Sequence, residues 1–437
     1  KTQNNSTAES MDELPWSVDT LAWVKDLDEQ TPPLNAVKDA LKKLVRNDLR
    51  ASVASMTSGE EMLTFTRDLD ARHQGAARIL LLIAVHECAA VDKEAWAKLV
   101  CDALQELPLE NGKLVLDQIP VVSRLLVNYA GTSVAKANAL IPTIRSALGH
   151  FVNNNSGHLL SAVHVDFLQL CLLAKQFRMA CQVLDSGISD LAPPPSVTTS
   201  EDVLRFFYYA GRAYASLKRF KESHQNLLTC ITMPVKQLSQ IMVSAFQHFV
   251  LVSLILNGRM ARIPSYTSKT VLSALQSFRG DSDLEGGKDV GYEEFLPFRE
   301  IAKAFKEEDC KALTTCLTEF RSELEQSGTL GLAKQTVQAF YYHHIRALRA
   351  HYLTLRVSDI AERFGFEGSD AQRKVRKILC DLAENEAAAI RLDPASTIVT
   401  FLDQPPAEAQ RSAIYDQLKK LDDISKVHSA SPLTGSI

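Results

Sequence analysis

One pattern recurs three times in the middle of this sequence and restricts what the chain can fold into. Phe167, Leu168, Cys171 and Leu172 lead into Ala174-Lys175-Gln176-Phe177-Arg178-Met179-Ala180. Phe207, Tyr208, Gly211, Tyr214 and Ala215 lead into Leu217-Lys218-Arg219-Phe220-Lys221-Glu222-Ser223. Val250, Leu251 and Leu254 lead into Leu256-Asn257-Gly258-Arg259-Met260-Ala261. Each unit reads as an apolar helix, a short basic turn, an aromatic residue or Met, and a second helix. The period is about 40 residues, the range of helical-hairpin solenoids of the tetratricopeptide type. A single hairpin cannot bury its apolar face alone, so the units must stack. The small residues Gly211 and Ala215 are expected where helices approach closely.

The same helical spacing runs through the first half. Leu34, Val37, Leu41, Leu44 and Val45 follow the breaker Pro32-Pro33. Segments 77–88, 95–104, 114–129 and 135–148 look alike, punctuated by Gly131, Pro142 and Asn153-Asn154-Asn155-Ser156-Gly157. With only 18 Gly and 16 Pro in 437 residues, a helix-rich architecture is favoured over a β-sandwich. The expected fold is mainly α: a right-handed helical-repeat solenoid, then a winged-helix subdomain and a C-terminal helix. The divisions fall at 1–158, 159–291, 292–404 and 405–437, with the polar loop Phe278 to Gly291 as a boundary. No run reaches transmembrane length on this reading; Ile79 to Val85 and Phe249 to Leu256 are expected as buried helices. Lys1 to Ser10 is polar and lacks a signal-peptide core, so the sequons at Asn4 and Asn154 carry no weight. The eight cysteines are scattered without a C-x-x-C pair and read as reduced core residues of a nuclear or cytosolic protein.

Near the C-terminus the order changes to helix, turn, helix and two-stranded wing. A helix over about 330–352 runs into a second at Ile360, Ala361 and Phe364, closed by Gly365. A third starts at Ser369, with Gln372 placed to complete a capping box. Its apolar stripe is Ala371, Val375, Ile378, Leu379 and Leu382. Two short strands, with Ile390 and Leu392 on one and Ile398, Thr400 and Leu402 on the other, flank Asp393-Pro394-Ala395-Ser396. Arg373, Lys374, Arg376 and Lys377 occupy the other faces of the third helix. A DNA-reading helix would look like this. Against it, Asp381, Glu384 and Glu386 follow at once, amide and aromatic side chains for base contacts are few, and the net charge is -4. The cluster reads as a solvated or protein-facing surface.

Motifs of catalysis are missing. No His-x-His, P-loop, G-x-G-x-x-G after a strand or G-x-S-x-G is present. His343 and His344 point about 100° apart on one helix and make a poor metal pair, one expected packed and one exposed. His86 and Cys88 likewise face different sides. No cofactor or metal is expected.

The helical array ending in a winged helix resembles the PCI family, the scaffold subunits of the proteasome lid, the COP-nine signalosome and translation initiation factor three. The residues that carry the resemblance are 167–175, 251–258, Ile263-Pro264-Ser265-Tyr266-Thr267-Ser268, Tyr352-Leu353-Thr354-Leu355 and Asp359-Ile360-Ala361. Within the family they look most like the signalosome. Arg356 departs from the pattern, standing where a polar helix cap is usual. The resemblance implies a non-catalytic scaffold in a complex that removes Nedd8 from cullins through a separate metal-dependent subunit. Its partners would be other PCI subunits and that catalytic subunit, and indirectly cullin-RING ligases, in nucleus and cytoplasm, with no membrane and no nucleic acid. The alternatives are the proteasome lid or initiation factor three, or a nucleic-acid-binding winged helix. Candidate interface residues are Ile390, Leu392, Ile398, Val399 and Phe401 on the wing, whose outer strand is expected to offer an open edge. Ile414, Leu418 and Leu421 on the amphipathic segment 407–423 are candidates for a helical bundle.

Overall fold

The computed structural model describes residues 59–401, apart from 69–70, 87–91, 109–114, 152–158, 189, 192–197, 274–292, 367, 369, 387–389 and 393–396. The expected helix at 34–45, the loop at 278–291, and Ile414, Leu418 and Leu421 therefore lie outside the described residues. Ten helices run from α1 (Gly59–Asp68) through α2 (Ala71–His86), α3 (Lys93–Glu106), α4 (Ile119–Ala130), α5 (Val134–Phe151), α6 (Ala162–Leu173), α7 (Phe177–Leu184), α8 (Ser200–Ser216) and α9 (Phe220–Thr232) to α10 (Gln240–Asn257). Strands β1 (Leu159–Leu160) and β2 (Asp190–Leu191) pair in parallel and bracket the α6–α7 hairpin. After α10 come α11 (Leu296–Lys306), α12 (Cys310–Glu319), α13 (Arg321–Gln326), α14 (Leu330–Arg349), β3 (Thr354–Arg356), α15 (Val357–Arg363), α16 (Ala371–Glu386), β4 (Ile390–Leu392) and β5 (Ile398–Phe401). Two compact units divide the chain: residues 1–233 with 239–245, and 234–238 with 246–437.

The mostly helical fold agrees with the sequence reading, and the repeat turns explain themselves. Lys175 and Lys218 adopt left-handed φ of 58° and 60°. At the first, Gln176 N–H donates to Cys171 O at 2.8 Å and Lys175 N–H to Leu172 O at 3.2 Å. At the second, Arg219 N–H donates to Tyr214 O and Lys218 N–H to Ala215 O, both at 3.0 Å. These are Schellman caps, which satisfy the last carbonyls of one helix and launch the next. A lysine there also places positive charge at the negative end of the helix dipole. The aromatic that follows, Phe177 or Phe220, opens the second helix.

The third unit differs. Gly258 is left-handed (φ 66°) and its N–H bonds Leu254 O at 3.0 Å, but no helix starts at Met260. The chain runs non-helically until 269. Pro264 has no N–H and restricts the residue before it, so a helix cannot build through it. Pro142 errs the other way: it sits inside α5 and does not end it. Gly131 does cap α4, with its N–H on Val127 O at 3.1 Å. Helix α4 begins at Ile119 rather than at 114, with Pro120 in its first turn. By length and composition α10 could cross a membrane, contrary to the sequence reading. Phe249, Val250, Leu251, Val252 and Leu254 are buried, as in the core helix of a packed domain.

The first unit is organised around α6, which packs on α4, α5 and α8. Phe167, Leu168, Leu170 and Cys171 are fully buried in one continuous core with Trp96, Ile119 and Leu126. Burying an aromatic or branched side chain stabilises by about 1.5–3 kcal/mol each. On α8, Gly211 meets α9 closely: a Cβ there would lie 2.6 Å from Leu227 Cγ, and Ser223 Oγ donates to Gly211 O at 2.8 Å.

A buried ionic group ties three helices together. Arg124 on α4 places Nε 2.8 Å from Asp166 Oδ1 on α6 and an Nη 2.7 Å from Asp202 Oδ1 on α8. Ser123 Oγ donates to Asp166 Oδ2 at 2.7 Å, and Thr199 N–H to Asp202 Oδ2 at 3.0 Å. Burial pushes Asp166 up to about 6, although Arg124 and Ser123 pull the other way. Burial also acts to raise Asp202, but the bonds from Arg124 and Thr199 outweigh it and hold its carboxyl below the usual range. Two residues before Asp166, His164 Nδ1 accepts the Ser161 N–H at 3.1 Å at the start of α6. Burial drives this imidazole down to about 4.

Two outcomes are expected. Gly211→Ala should lower stability by about 1–3 kcal/mol, because the new Cβ would press on fully buried Leu227 and force it to shift; the urea midpoint reads it. The second concerns pH. Asp166, raised above 3.8, contributes stability that is present at low pH and lost as pH rises through about 6. His164, depressed below 6.5, contributes stability that is present above that value and lost as pH falls toward about 4. The two slopes oppose each other between about pH 4 and 6. Asp166→Asn removes the slope that opposes the histidine, so melting temperature should climb with pH between about pH 4 and 6 more steeply than in the unsubstituted chain; parallel profiles would contradict this.

Candidate interaction surface

The winged-helix module is built on α14. Its C-terminal residues Ile345 and Leu348 enter a core with Val357, Ile360 and Phe364 of the first short helix and Val375, Leu379 and Leu382 of the next. The stripe on α16 and its packing against α15 are as the sequence spacing implied. Gly365 (φ 66°) closes α15 in a Schellman cap: Phe366 N–H bonds Ala361 O and Gly365 N–H bonds Glu362 O, both at 2.9 Å. Arg356 stands at the N-cap of α15 with no side-chain bond to it. Helix α16 starts at Ala371; the capping serine expected at 369 lies outside the described residues.

An aromatic cluster fastens this module to the helices before it. Phe340 meets Phe305 edge-on at 5.3 Å, and the His344 ring lies 5.9 Å from Phe340 and 5.4 Å from Phe364. Tyr341 contacts Phe364 at 5.0 Å and Phe366 at 5.5 Å, and its hydroxyl is 3.0 Å from Cys310 Sγ. The expectation that one of the paired histidines is exposed fails. His343 Nε2 lies 2.9 Å from Ile255 O in the last turn of α10, and His344 Nδ1 lies 3.6 Å from Glu308. Burial lowers the His344 pKa; Arg363 adds to that and Glu308 opposes it. Both rings are packing elements. Among the described residues no three His, Cys, Asp or Glu side chains are grouped to hold a metal. Among the described cysteines, Cys171, Cys181, Cys230 and Cys310 are buried free thiols, while Cys380 is exposed on α16.

The wing has three strands, not two. Their order is β3-β5-β4, all antiparallel. Thr354, Leu355 and Arg356 pair with Thr400, Val399 and Ile398, while Ile390, Arg391 and Leu392 pair with Phe401, Thr400 and Val399. Alternation along the strands divides the residues between two faces. Leu355, Val399 and Phe401 point into the core, with Ile390 packed at its margin. Thr354, Arg356, Arg391, Ile398 and Thr400 form the outer face.

This corrects the candidate interface. Val399 and Phe401 are 0% and 4% exposed, so they are core residues. The strand 398–401 is central and has no open edge; the edges belong to β3 and β4. Of the wing candidates, Ile398 alone stands on the outer face, 47% exposed; the Leu392 side chain lies outside the described residues. The sequence reading missed Leu353, 69% exposed, and Tyr352, whose ring lies under Arg363 at 5.1 Å. Phe401 N–H bonds Leu353 O at 2.8 Å, which fixes Leu353 beside the sheet. Alternation puts 354, 356, 398 and 400 on the outer face but groups Leu353 with buried Leu355, so strand parity gave no signal for its exposure. On α16, Arg373, Lys374 and Lys377 are exposed, with Arg373 3.6 Å from Asp370 and Lys374 5.7 Å from the Phe366 ring.

The two faces should behave differently on truncation. Phe401→Ala is expected to cost about 3–5 kcal/mol. Ile398→Ala should stay within about 0.5 kcal/mol. Denaturant titration of the two variants separates them, and equal losses would contradict the assignment of faces.

Comparison with known proteins follows the same geography. A family model described as COP9 signalosome complex subunit 3, N-terminal helical repeats, matches residues 39–271, which take in α1 through α10. The strings at 167–175, 251–258 and 263–268, which resemble subunit three in particular, fall inside it. A protein of Dictyostelium discoideum named COP9 signalosome complex subunit 3 is 23% identical over 311 residues, 71% of this chain and 70% of that one. Its Arabidopsis thaliana namesake is 27% identical over 247 residues, 56% of this chain and 52% of that one. The chain thus spans about half the length of the second relative.

Proposed function

We propose, from the premise that this chain belongs to the family of COP9 signalosome complex subunit 3, that it is a non-catalytic scaffold of that complex and supports removal of Nedd8 from cullins. A subunit of the signalosome works in a complex with other subunits. The finer reading is that the winged helix joins a neighbouring PCI subunit and that segment 407–423, with Ile414, Leu418 and Leu421, enters a helical bundle. The complex then acts on cullin-RING ligases, in nucleus and cytoplasm, through a catalytic subunit that is another chain.

The observation that carries this is that the wing packs one face into the module's core while Ile398 on its outer face and Leu353 beside the sheet stay exposed. A sheet locked from behind presents those side chains without further ordering, which lowers the entropy cost of association. Neither side chain contributes to the module's own core, so both are available to a docking partner.

Leu353→Glu with Ile398→Glu in the full chain is expected to reduce co-purification of the other signalosome subunits by at least about tenfold. Cullin deneddylation in the eluate should fall in proportion, with the melting temperature of the chain unchanged. Normal recovery and activity would remove Leu353 and Ile398 from the interface. Removal of 405–437 with an intact complex recovered would remove the bundle reading.

A further inference from the structure

Between Glu222 and Asp281 the chain has no acidic residue at all, although Asp and Glu make up 52 of its 437 residues. Part of this run is buried helix, where charges are unwelcome. The loop that follows α10 lies at the surface. Arg259, Arg262 and Lys269 are exposed, and none has an ion-pair partner among the described residues. Between them Tyr266 stands 75% exposed, the most exposed large apolar side chain among the described residues.

This surface is held in shape from both sides. Upstream, the backbone at Gly258 lies so close to the His343 ring that a Cβ would meet it at 3.0 Å, and the same ring bonds Ile255 O. Downstream, Thr267 is 4% exposed, and both its N–H (3.2 Å) and its Oγ1 (2.8 Å) donate to Pro264 O. The buried threonine pins the turn 264–267, so Tyr266 and Ser265 are driven outward. The aromatic ring is thus presented on a fixed loop, flanked by cations that have no ion-pair partner among the described residues.

We propose that the loop 259–269 is a docking site for an acidic segment of a partner protein, one that brings carboxylates to Arg259, Arg262 and Lys269 and an apolar or aromatic side chain to Tyr266. Tyr and Arg are the side chains that dominate binding where they are rigidly presented. Unopposed charge of one sign selects and steers a partner of the other. A nucleic acid fits less well: three cations neutralise few phosphates, and one ring gives little stacking. The site is separate from the wing and stands whether or not the scaffold reading holds.

The test is fluorescence anisotropy on the full chain. The probes are a labelled peptide of repeated Glu-Glu-Phe triplets, its Lys-Lys-Phe counterpart, and a labelled oligo-uridine RNA. The acidic peptide should bind and the basic one should not, with affinity falling as salt is raised. Arg259→Glu with Arg262→Glu should weaken binding at least about tenfold, and Tyr266→Ala at least about fivefold. Ser265→Glu, which adds a negative charge at an exposed position, should weaken it as well. Arg373→Glu with Lys377→Glu on α16 should leave it unchanged. No binding of the acidic peptide, or binding indifferent to the 259, 262 and 265 substitutions, overturns the proposal. So does RNA that binds more tightly than the peptide and is lost in the same variants.

Discussion

The turn residue in left-handed conformation is the constraint on which the repeat architecture rests. A helix ends with unbonded carbonyls, and a partner helix must leave at an angle that brings the two apolar stripes together. The Schellman geometry at Lys175 and Lys218 does both within three residues. It returns at Gly328, where Thr329 N–H reaches Leu324 O at 2.9 Å, and the same backward bond forms after Glu308, where Asp309 N–H reaches Ala304 O at 3.1 Å. Two lysines and a glutamate at positive φ each cost more than a glycine would in strain. They also spare the entropy a glycine would lose on folding. The chain accepts this strain because the stacked hairpins over-determine the turn.

Stacking then needs register, and an apolar surface is permissive about sliding. The Arg124 group answers this within the first unit. Its guanidinium meets Asp166 and Asp202 together only when α4, α6 and α8 are aligned. A buried ion pair is weak evidence for net stability, since desolvation offsets most of the attraction. Its value lies in penalising misaligned packings, each of which would strand a buried charge. Gly211 against Leu227 works similarly by shape, because only a glycine lets the two helices approach so closely.

What the sequence disclosed follows the range of the interactions. Local features were legible: the repeat turn, Gly365 as a helix end, and the Val375, Leu379 and Leu382 stripe all depend on residues a few positions apart. The missed elements depend on distant partners. Strand β3 is three residues between two helices, and it is a strand because 398–400 pairs with it. Without it the wing looks two-stranded, β5 looks like an edge, and Val399 and Phe401 look available. The ion group joins residues far apart in sequence, none of which stands out locally. The second helix of the third repeat failed because Pro264 overrides a pattern that Leu256-Asn257-Gly258-Arg259 otherwise matches. The histidines at 343 and 344 were misjudged because helical spacing alone cannot show that α10 and α15 approach α14 from different sides.

The same long-range dependence bears on function. The aromatic cluster of Phe340, Tyr341, His344, Phe364 and Phe366 locks the winged helix to α14, while His343 locks α14 to the end of α10. Helix α14 is thereby held at both its flanks, and the wing's outer face is fixed relative to the loop that carries Tyr266. A surface presented on such a body meets a partner with its ordering cost already met by the fold. Exposed Leu353 and Ile398, and the exposed cations of the loop 259–269, then differ in what they offer. The first offers shape and apolar area, and the second offers charge. The two complement each other, because an apolar face alone discriminates poorly between partners while charge alone binds weakly at cellular salt.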